Sequence, residues 1–165
     1  MKLLVTGGYG FIGSNFINLA SESDYEIINI DKVTYAADKD NIRVKNIANI
    51  EADIAEYSSI EKIILDFQPD TIVHFAAESH VDHSIENPYV FLNTNILGTY
   101  NLLQACSKLE NNFHFIHIST DEVFGELGKK GFFNEKTNYD PKSPYSASKA
   151  SSDHLVRAWH QTYGL

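Results

Sequence analysis

The glycine-rich segment directly after the first apolar run constrains the fold of this chain most strongly. Lys2–Thr6 is a short apolar run typical of a β-strand, and Gly7–Gly13 follows at once with the sequence GGYGFIG. This segment satisfies G-x-G-x-x-G and opens a helical pattern that extends to about Glu22. Glycines at this spacing allow a tight turn, close approach of the backbone to a pyrophosphate and close packing of helix on strand. The sequence therefore predicts a dinucleotide-binding loop, with the phosphates on free N–H groups at the helix N-terminus.

Three segments supply the candidate cofactor contacts. Asp31 ends the second predicted strand, eighteen residues after Gly13, where a carboxylate accepts hydrogen bonds from ribose hydroxyls and repels a 2′-phosphate. This favours NAD over NADP, although the neighbouring Lys32 weakens the preference. Asp53 and Ile54 follow the third predicted strand and either hold the adenine edge or merely end the strand. From the loop and these segments we expect cofactor contacts from Gly7, Gly10, Phe11, Ile12, Gly13, Asp31, Lys32, Asp53 and Ile54.

Strand-like and helix-like runs alternate along the rest of the chain. After Lys2–Thr6 the predicted strands are Glu26–Ile30, Asn49–Ala52, Thr71–Ala76 and Phe113–Ser119, and the helices after the first are Ser58–Phe67, Pro88 to about Leu109, and Pro144–Tyr163. Such alternation demands parallel pairing with right-handed crossovers. The sequence predicts an α/β fold, a doubly wound parallel sheet of the Rossmann type, as one domain over residues 1–165. The irregular stretch Glu126–Ser143 is expected to be a loop over an active site.

The predicted alternation finishes on a helix at the end of the chain. A crossover helix normally returns to the sheet through a further strand. We therefore expect residues 1–165 to be part of a longer protein, truncated before a smaller substrate-binding domain.

Charge and cysteine content exclude several partner classes. The formal net charge is -9, with 22 acidic and 13 basic residues, which disfavours binding to nucleic acid. Cys106 is the single cysteine, so no internal disulfide forms, and a reducing compartment is expected. The first apolar run is too short for a signal peptide or a membrane span. The sequence predicts a cytoplasmic protein without membrane contact.

Tyr145 and Lys149 form a Tyr-x-x-x-Lys pair at the start of the last predicted helix. Residues four apart project from one helix face, so the lysine ammonium lies near the tyrosine. An ammonium stabilises a phenolate and is expected to bring its pKa towards neutrality. The pair can then accept a proton from a substrate hydroxyl while hydride leaves the same carbon for a nicotinamide.

The segment Ser119–Glu122 (Ser-Thr-Asp-Glu) stands at the carboxyl end of the fifth predicted strand. Ligands of open α/β sheets bind at that edge. Two adjacent carboxylates after a hydroxyl donor suit acid and base roles, because crowded like charges move their pKa values apart. The alternative is a solvated loop with a helix-capping aspartate.

These motifs together resemble the dTDP-glucose 4,6-dehydratases, a nucleotide-sugar-modifying family of extended short-chain dehydrogenases/reductases. The resemblance covers essentially the whole chain and is carried by Thr6–Gly13, Asn29–Ala36, Ala76–Asp82, Ser119–Val123 and Tyr145–Lys149. The Asp121-Glu122 pair is its specific part, since the related 4-epimerases lack it.

The resemblance implies a mechanism for these residues. Tyr145 would take the proton of the sugar 4-hydroxyl while NAD accepts hydride from C4, with Thr120 hydrogen-bonding nearby. Glu122 would then remove the C5 proton and Asp121 would protonate the departing 6-hydroxyl. Hydride would return to C6, so NAD is regenerated in each turnover and the product is a 4-keto-6-deoxy sugar nucleotide.

The resemblance also implies further binding residues. Ala76, Ala77 and Asn95 would lie near the cofactor, Lys149 would reach the nicotinamide ribose, and Ser79 and Ser84 would lie near the substrate. The absent C-terminal portion would complete the nucleotide-sugar pocket, so residues 1–165 alone are expected to bind NAD weakly and to be inactive.

Other interpretations remain open. The strongest alternative is a 4-epimerase or decarboxylase of the same superfamily. The weakest is a non-catalytic NAD sensor, because such a protein could lose Tyr145 or Lys149 and both are present here. The pairs His80/His83 and His114/His117 are not expected to bind a metal, since the second pair points to opposite faces of a strand. The apolar circumference of the helices from Pro88 and Tyr145 favours a homodimer formed through helices.

Overall fold

Five parallel strands form one sheet in the order β3-β2-β1-β4-β5 in the computed structural model, which describes residues 1–165. The strands are β1 Lys2–Thr6, β2 Glu26–Asp31, β3 Ala48–Glu51, β4 Thr71–His74 and β5 His114–His117. In the central strand Val5 lies opposite Asn29 on β2 and Val73 on β4. This confirms the predicted doubly wound parallel sheet. The strand order reverses between β1 and β4, and ligands of open α/β sheets bind in the crevice at such a point.

Six α-helices connect and cover the strands. They are α1 Phe11–Ala20, α2 Tyr57–Phe67, α3 Val81–Glu86, α4 Pro88–Phe91, α5 Thr99–Cys106 and α6 Pro144–Tyr163. Short 3₁₀ turns occupy Lys39–Asn41 and Asp121–Phe124. The prediction of one regular helix from Pro88 to Leu109 is wrong in detail, because a π-helical segment, Leu92–Gly98, separates α4 from α5. The predicted strand Thr71–Ala76 ends earlier, at His74, where the chain turns into the crevice.

Alternating side chains of the sheet build two separate cores. Leu4 packs with residues of α2 and α5 on one face, whereas Leu3 and Val5 pack with Ile17 of α1 on the other. Successive residues of a strand point to opposite faces, so a strand covered on both sides reads as a continuous apolar run. This is why Lys2–Thr6 shows no apolar–polar alternation after its first residue.

The start of α6 is fixed by local sequence. Ser143 is the N-cap and its hydroxyl accepts a hydrogen bond from the Ser146 N–H at 3.0 Å, while the Ser143 N–H donates to the Ser146 hydroxyl oxygen at 2.9 Å. Pro144 occupies the first turn, where its missing N–H costs nothing. This capping box places Tyr145 and Lys149 on the first two turns of a helix with a defined origin.

No helix of this structure combines the length and the apolar character that crossing a bilayer requires.

Candidate active site

The glycine loop joins β1 to α1 in a conformation that leaves no room for a side chain at Gly7 or Gly13. Gly7 has φ of +74°, and a Cβ there would lie 2.5 Å from the Ala76 backbone nitrogen. A Cβ on Gly13 would lie 2.3 Å from the Gly7 carbonyl oxygen. No side chain caps the N-terminus of α1 at Gly10, so the free amides of its first turn can bind an anion. The loop therefore fits a dinucleotide pyrophosphate.

A cleft of about 530 Å³ opens along the carboxyl edge of the sheet, above this loop. Most of the sequence-predicted site residues line it. These are Gly7, Gly10, Phe11, Ile12, Gly13, Asp31, Lys32, Asp53, Ile54, Ala76, Ala77, Ser79, Tyr145 and Lys149. Segments from all parts of the chain thus converge on one elongated cleft.

Asp31 and Lys32 lie at one end of the cleft, and the charged group of each already has partners within the chain. The buried Asp31 carboxylate accepts hydrogen bonds from the Tyr9 N–H at 2.9 Å and the Val33 N–H at 2.8 Å. Each carboxylate oxygen has further acceptor capacity for a ribose hydroxyl. The Lys32 ammonium lies 2.5 Å from the Asp53 carboxylate, so it is paired and does not offer a free cation to a 2′-phosphate.

Asp53 also shapes the turn after β3. Its second carboxylate oxygen accepts a hydrogen bond from the Ala55 N–H at 2.9 Å. Asn101 of α5 donates to the Ile54 and Ala55 carbonyls at 3.0 and 2.9 Å. The two readings of Asp53 from the sequence are therefore compatible, because the residue caps this turn and still borders the cleft.

Tyr145 and Lys149 lie at the other end of the cleft. The Lys149 side chain is buried, and its ammonium donates to the Ile118 carbonyl at the end of β5 at 2.7 Å. Burial lowers the pKa of Lys149 to about 8, with the Asp153 carboxylate acting in the opposite direction. At neutral pH the ammonium form still predominates, which a phenolate-stabilising role requires.

The Tyr145 phenol differs from the sequence prediction. Burial raises the pKa of Tyr145; the Thr120 hydrogen bond acts to lower it, and the nearby Glu122 and Asp121 charges raise it further. The expectation that Lys149 brings this pKa towards neutrality is therefore wrong for the protein without a ligand. Desolvation and the charges of Glu122, Asp121 and Asp153 outweigh the effect of the Thr120 hydrogen bond, so the phenol is protonated before a ligand binds.

Thr120, Asp121 and Glu122 stand beside Tyr145 but outside the lining of the cleft. Thr120 is the N-cap of the 3₁₀ turn Asp121–Phe124, and its hydroxyl accepts from the Glu122 N–H at 3.3 Å. Asp121 is exposed and Glu122 half-buried. The three side chains thus border the mouth of the cleft next to the phenol, where a substrate sugar can contact all of them.

Asn95 and Ser84 are placed behind the cleft wall rather than on it. Asn95 is buried, accepts from the Glu78 N–H at 2.8 Å, and donates to the Glu78 carbonyl at 3.0 Å and the Ser148 hydroxyl at 2.8 Å. Ser84 is fully buried and donates to the Val81 carbonyl at 2.6 Å. The Asn95 hydrogen bonds hold the segment after β4 against α6 and so support the cleft from behind, whereas the Ser84 bond stays within α3.

Sequence reasoning missed several residues that border or support the cleft. Thr34, Glu78, His80 and Thr94 line it. The first three lie in the segments that carry the family resemblance, but none of the four was predicted as a site residue. Asp153, buried four residues after Lys149 on α6, was also missed, although a carboxylate one turn from a catalytic lysine is a signal that the sequence contains.

The fold and this cleft define a Rossmann-type dinucleotide-binding domain that carries the Tyr-x-x-x-Lys pair of a short-chain dehydrogenase/reductase. A family model described as GDP-mannose 4,6 dehydratase matches residues 4–165. The chain belongs to this family.

Relatives and solved structures agree with this assignment. The chain is 48% identical to a dTDP-glucose 4,6-dehydratase of Salmonella typhimurium and 46% identical to one of Escherichia coli; each alignment covers 100% of this chain and 52% of the relative. The chain therefore spans about half the length of these relatives. DesIV, a dTDP-glucose 4,6-dehydratase from Streptomyces venezuelae solved with NAD bound, superposes with a TM-score of 0.92 at 41% identity, over 100% of this chain and 53% of DesIV.

A related enzyme class shares the same fold. The UDP-glucose 4-epimerase of Thermus thermophilus, solved with NAD, superposes with a TM-score of 0.91 at 32% identity, over 100% of this chain and 52% of the epimerase. The backbone alone therefore does not separate dehydratase from epimerase, and the side chains at the cleft mouth have to do so.

Proposed function

We propose that the complete protein to which this chain corresponds is an NAD-dependent nucleotide-sugar 4,6-dehydratase that acts on dTDP-glucose. One observation carries the proposal: Asp121 and Glu122 lie beside the Tyr145 phenol, close enough for their charges to raise its pKa. A dehydratase needs an acid and a second base next to the group that oxidises C4. An epimerase needs only the tyrosine.

The cleft suits NAD along its whole length. The loop residues Gly7, Gly10 and Gly13 leave room for a pyrophosphate at the N-terminus of α1. Asp31 would accept hydrogen bonds from the adenosine ribose hydroxyls, and the Lys149 ammonium would donate to a hydroxyl of the ribose next to the nicotinamide. When bound, NAD supplies the hydride acceptor for C4, the hydride donor for C6 and a positive charge that favours the phenolate.

Tyr145 and Lys149 act together on the first proton. The phenol oxygen accepts the proton of the sugar 4-hydroxyl as the C4–H bond breaks, which leaves a ketone at C4. Thr120 lies close enough to lower the pKa of Tyr145 and would help to hold the phenol in position, and the Lys149 ammonium stabilises its ionised form. A ketone at C4 acidifies the proton on C5.

Glu122 and Asp121 carry out the elimination. The Glu122 carboxylate removes the C5 proton, and Asp121 donates a proton to the 6-hydroxyl as the C6–O bond breaks, so that one water molecule is lost. This elimination leaves a C5–C6 double bond. Return of the hydride to C6 and of the proton from Glu122 to C5 then gives a 4-keto-6-deoxy sugar nucleotide.

The first test is incubation of the complete protein with dTDP-glucose without added NAD, followed by the alkali-induced absorbance of a 4-keto-6-deoxy sugar. We expect product from the wild type and a loss of at least about 100-fold in kcat for Glu122→Gln. Product that forms without elimination, as a 4-epimer, would assign the protein to the epimerase class instead. No product from dTDP-glucose but turnover of a UDP-sugar would leave the chemistry and change the nucleotide.

We also propose that the complete protein is a cytoplasmic homodimer. Exposed apolar residues cluster on the outer surfaces of the α4–α5 segment and α6, among them Tyr89, Leu92, Leu97, Tyr100 and Tyr163. Exposed apolar residues on neighbouring helices are typical of a helix-to-helix interface. Light scattering of the complete protein should give twice the mass of one chain, and a monomer at micromolar concentration would refute the interface.

A further inference from the structure

A buried carboxylate that takes no part in the proposed reaction lies directly beneath it. Asp153 sits on α6, one turn after Lys149, and is 7% exposed. One of its carboxylate oxygens accepts hydrogen bonds from the Ser119 hydroxyl at 2.6 Å and the Tyr139 hydroxyl at 2.9 Å. The other lies 3.2 Å from the His117 Nε2. A buried charge is unfavourable unless it is paired or hydrogen-bonded, and Asp153 gathers its partners from other segments.

These partners come from the segments that shape the cleft mouth. His117 ends β5, and Ser119 lines the cleft immediately before Thr120. Tyr139 lies near the end of the loop Glu126–Ser143, and the next residue, Asp140, donates its N–H to the Val123 carbonyl at 3.0 Å. Through one side chain, Asp153 therefore joins the end of β5, the loop Glu126–Ser143 and α6, the helix of Tyr145.

The charge of Asp153 is retained at neutral pH. Burial acts to raise the pKa of Asp153, but the nearby His117 imidazole and the hydrogen bonds from Ser119 and Tyr139 outweigh it and hold the pKa below its usual value. Burial lowers the pKa of His117, so this imidazole is neutral at pH 7 despite the nearby carboxylate. The cluster consequently carries one net negative charge.

That charge faces the Lys149 ammonium. The titratable groups that surround this lysine are His74 on β4, His117 on β5, and Tyr145 and Asp153 on α6. Burial lowers the pKa values of both histidines and raises that of the tyrosine, so all three are neutral at pH 7. Asp153 is the charge that offsets the desolvation of Lys149.

We propose that Asp153 is a positioning residue of the dehydratase: its hydrogen bonds hold Ser119 and Tyr139 so that Thr120–Glu122 faces Tyr145, and its charge keeps Lys149 in the ammonium form. The inference rests on the proposed function. An amide in place of the carboxylate removes the charge and weakens the hydrogen bonds that Ser119 and Tyr139 donate. The two roles separate experimentally, because the alkaline limb of the pH profile reports the charge and kcat reports the positioning.

The test compares Asp153→Asn with the wild type and with Asp66→Asn, a matched loss of one exposed helical carboxylate that pairs with Lys62. The pH dependence of kcat/KM for dTDP-glucose is measured with the complete protein. For Asp153→Asn we expect kcat to fall about 10- to 100-fold, because slightly misplaced reacting groups cost this much. The NAD dissociation constant should change by less than about threefold.

The position of the alkaline limb reports the charge. Activity requires the ammonium form, which is lost as pH rises through the pKa of Lys149, about 8. Without the Asp153 charge this pKa falls, so the alkaline limb of Asp153→Asn moves to lower pH, whereas that of Asp66→Asn stays in place. An unshifted alkaline limb in Asp153→Asn would overturn the charge role. An unchanged kcat in this variant would overturn the positioning role.

A second measurement does not depend on turnover. Protein with ¹³C-labelled lysine is titrated by NMR, and the Lys149 signal is assigned by its absence from Lys149→Met. A lower Lys149 pKa in Asp153→Asn supports the coupling even if dTDP-glucose proves not to be the substrate, and an unchanged pKa refutes it. If Asp153→Asn does not fold, Tyr139→Phe removes one hydrogen bond and keeps the charge. That variant should lose about three- to tenfold in kcat without a shifted limb, and unchanged kcat would refute the positioning role.

Discussion

Replacing Asn95 by alanine should lower the free energy of unfolding by much more than it changes the free energy of NAD binding. The Asn95 amide makes three hydrogen bonds, two to the Glu78 backbone and one to the Ser148 hydroxyl. The variant leaves the Glu78 N–H and carbonyl without partners at a half-buried position. Each unpaired group costs about 1–1.5 kcal/mol, and the lost third bond and small cavity bring the total to about 3 kcal/mol.

Urea unfolding of the complete protein measures this change, with Asn112→Ala as the control. Asn112 is an exposed asparagine, and its variant should stay within about 0.5 kcal/mol of the wild type. NAD binding by calorimetry should weaken less than about tenfold for Asn95→Ala, because the side chain acts through the Glu78 segment. A weakening above about 100-fold with unchanged stability would show that Asn95 touches the cofactor and that the reasoning here is wrong.

Three further outcomes follow from the cleft. Gly7→Ala should weaken NAD binding at least about tenfold in calorimetry, because a φ of +74° and a Cβ 2.5 Å from the Ala76 nitrogen force the loop to move; unchanged affinity would refute the close approach. Wild-type activity should fall as pH rises through about 8, the pKa of Lys149, because the ammonium is lost, and a constant rate up to pH 9.5 would contradict this role. Asp53→Asn frees Lys32 from its ion pair, so the ratio of the NADP to the NAD dissociation constant should fall about fivefold. Adding Lys32→Ala should abolish this change.

Local sequence was sufficient for the elements that carry the chemistry. The glycine loop, the strand before it and the capped helix with Tyr145 and Lys149 lie where their patterns predict. In each case the signal is local, because glycine permits a positive φ, and Ser143 with Pro144 fixes a helix start within four residues. The fold class followed from the alternation of these elements along the chain.

Local sequence was insufficient where distant segments decide the backbone. Short helix α3, Val81–Glu86, carries no apolar period and was not predicted. The π-helical segment Leu92–Gly98 looks helical in sequence, but its hydrogen-bond pattern depends on neighbours such as Ile54, against which a Cβ on Gly98 would clash at 2.6 Å. Apolar periodicity indicates which face of a helix is buried. It does not indicate which carbonyl accepts the hydrogen bond from each backbone N–H.

The sequence by itself determined the class of fold, and it predicted the phosphate loop and the candidate proton carriers, because these depend on residue type and on spacing within one element. Only the tertiary structure decided the ionisation of those carriers. Whether Tyr145 is a phenol, whether Lys149 keeps its proton, and whether Lys32 is free depend on burial and on charges from Glu122, Asp153 and Asp53. Such interactions act through space between residues far apart in the chain, or through a desolvation that only packing creates.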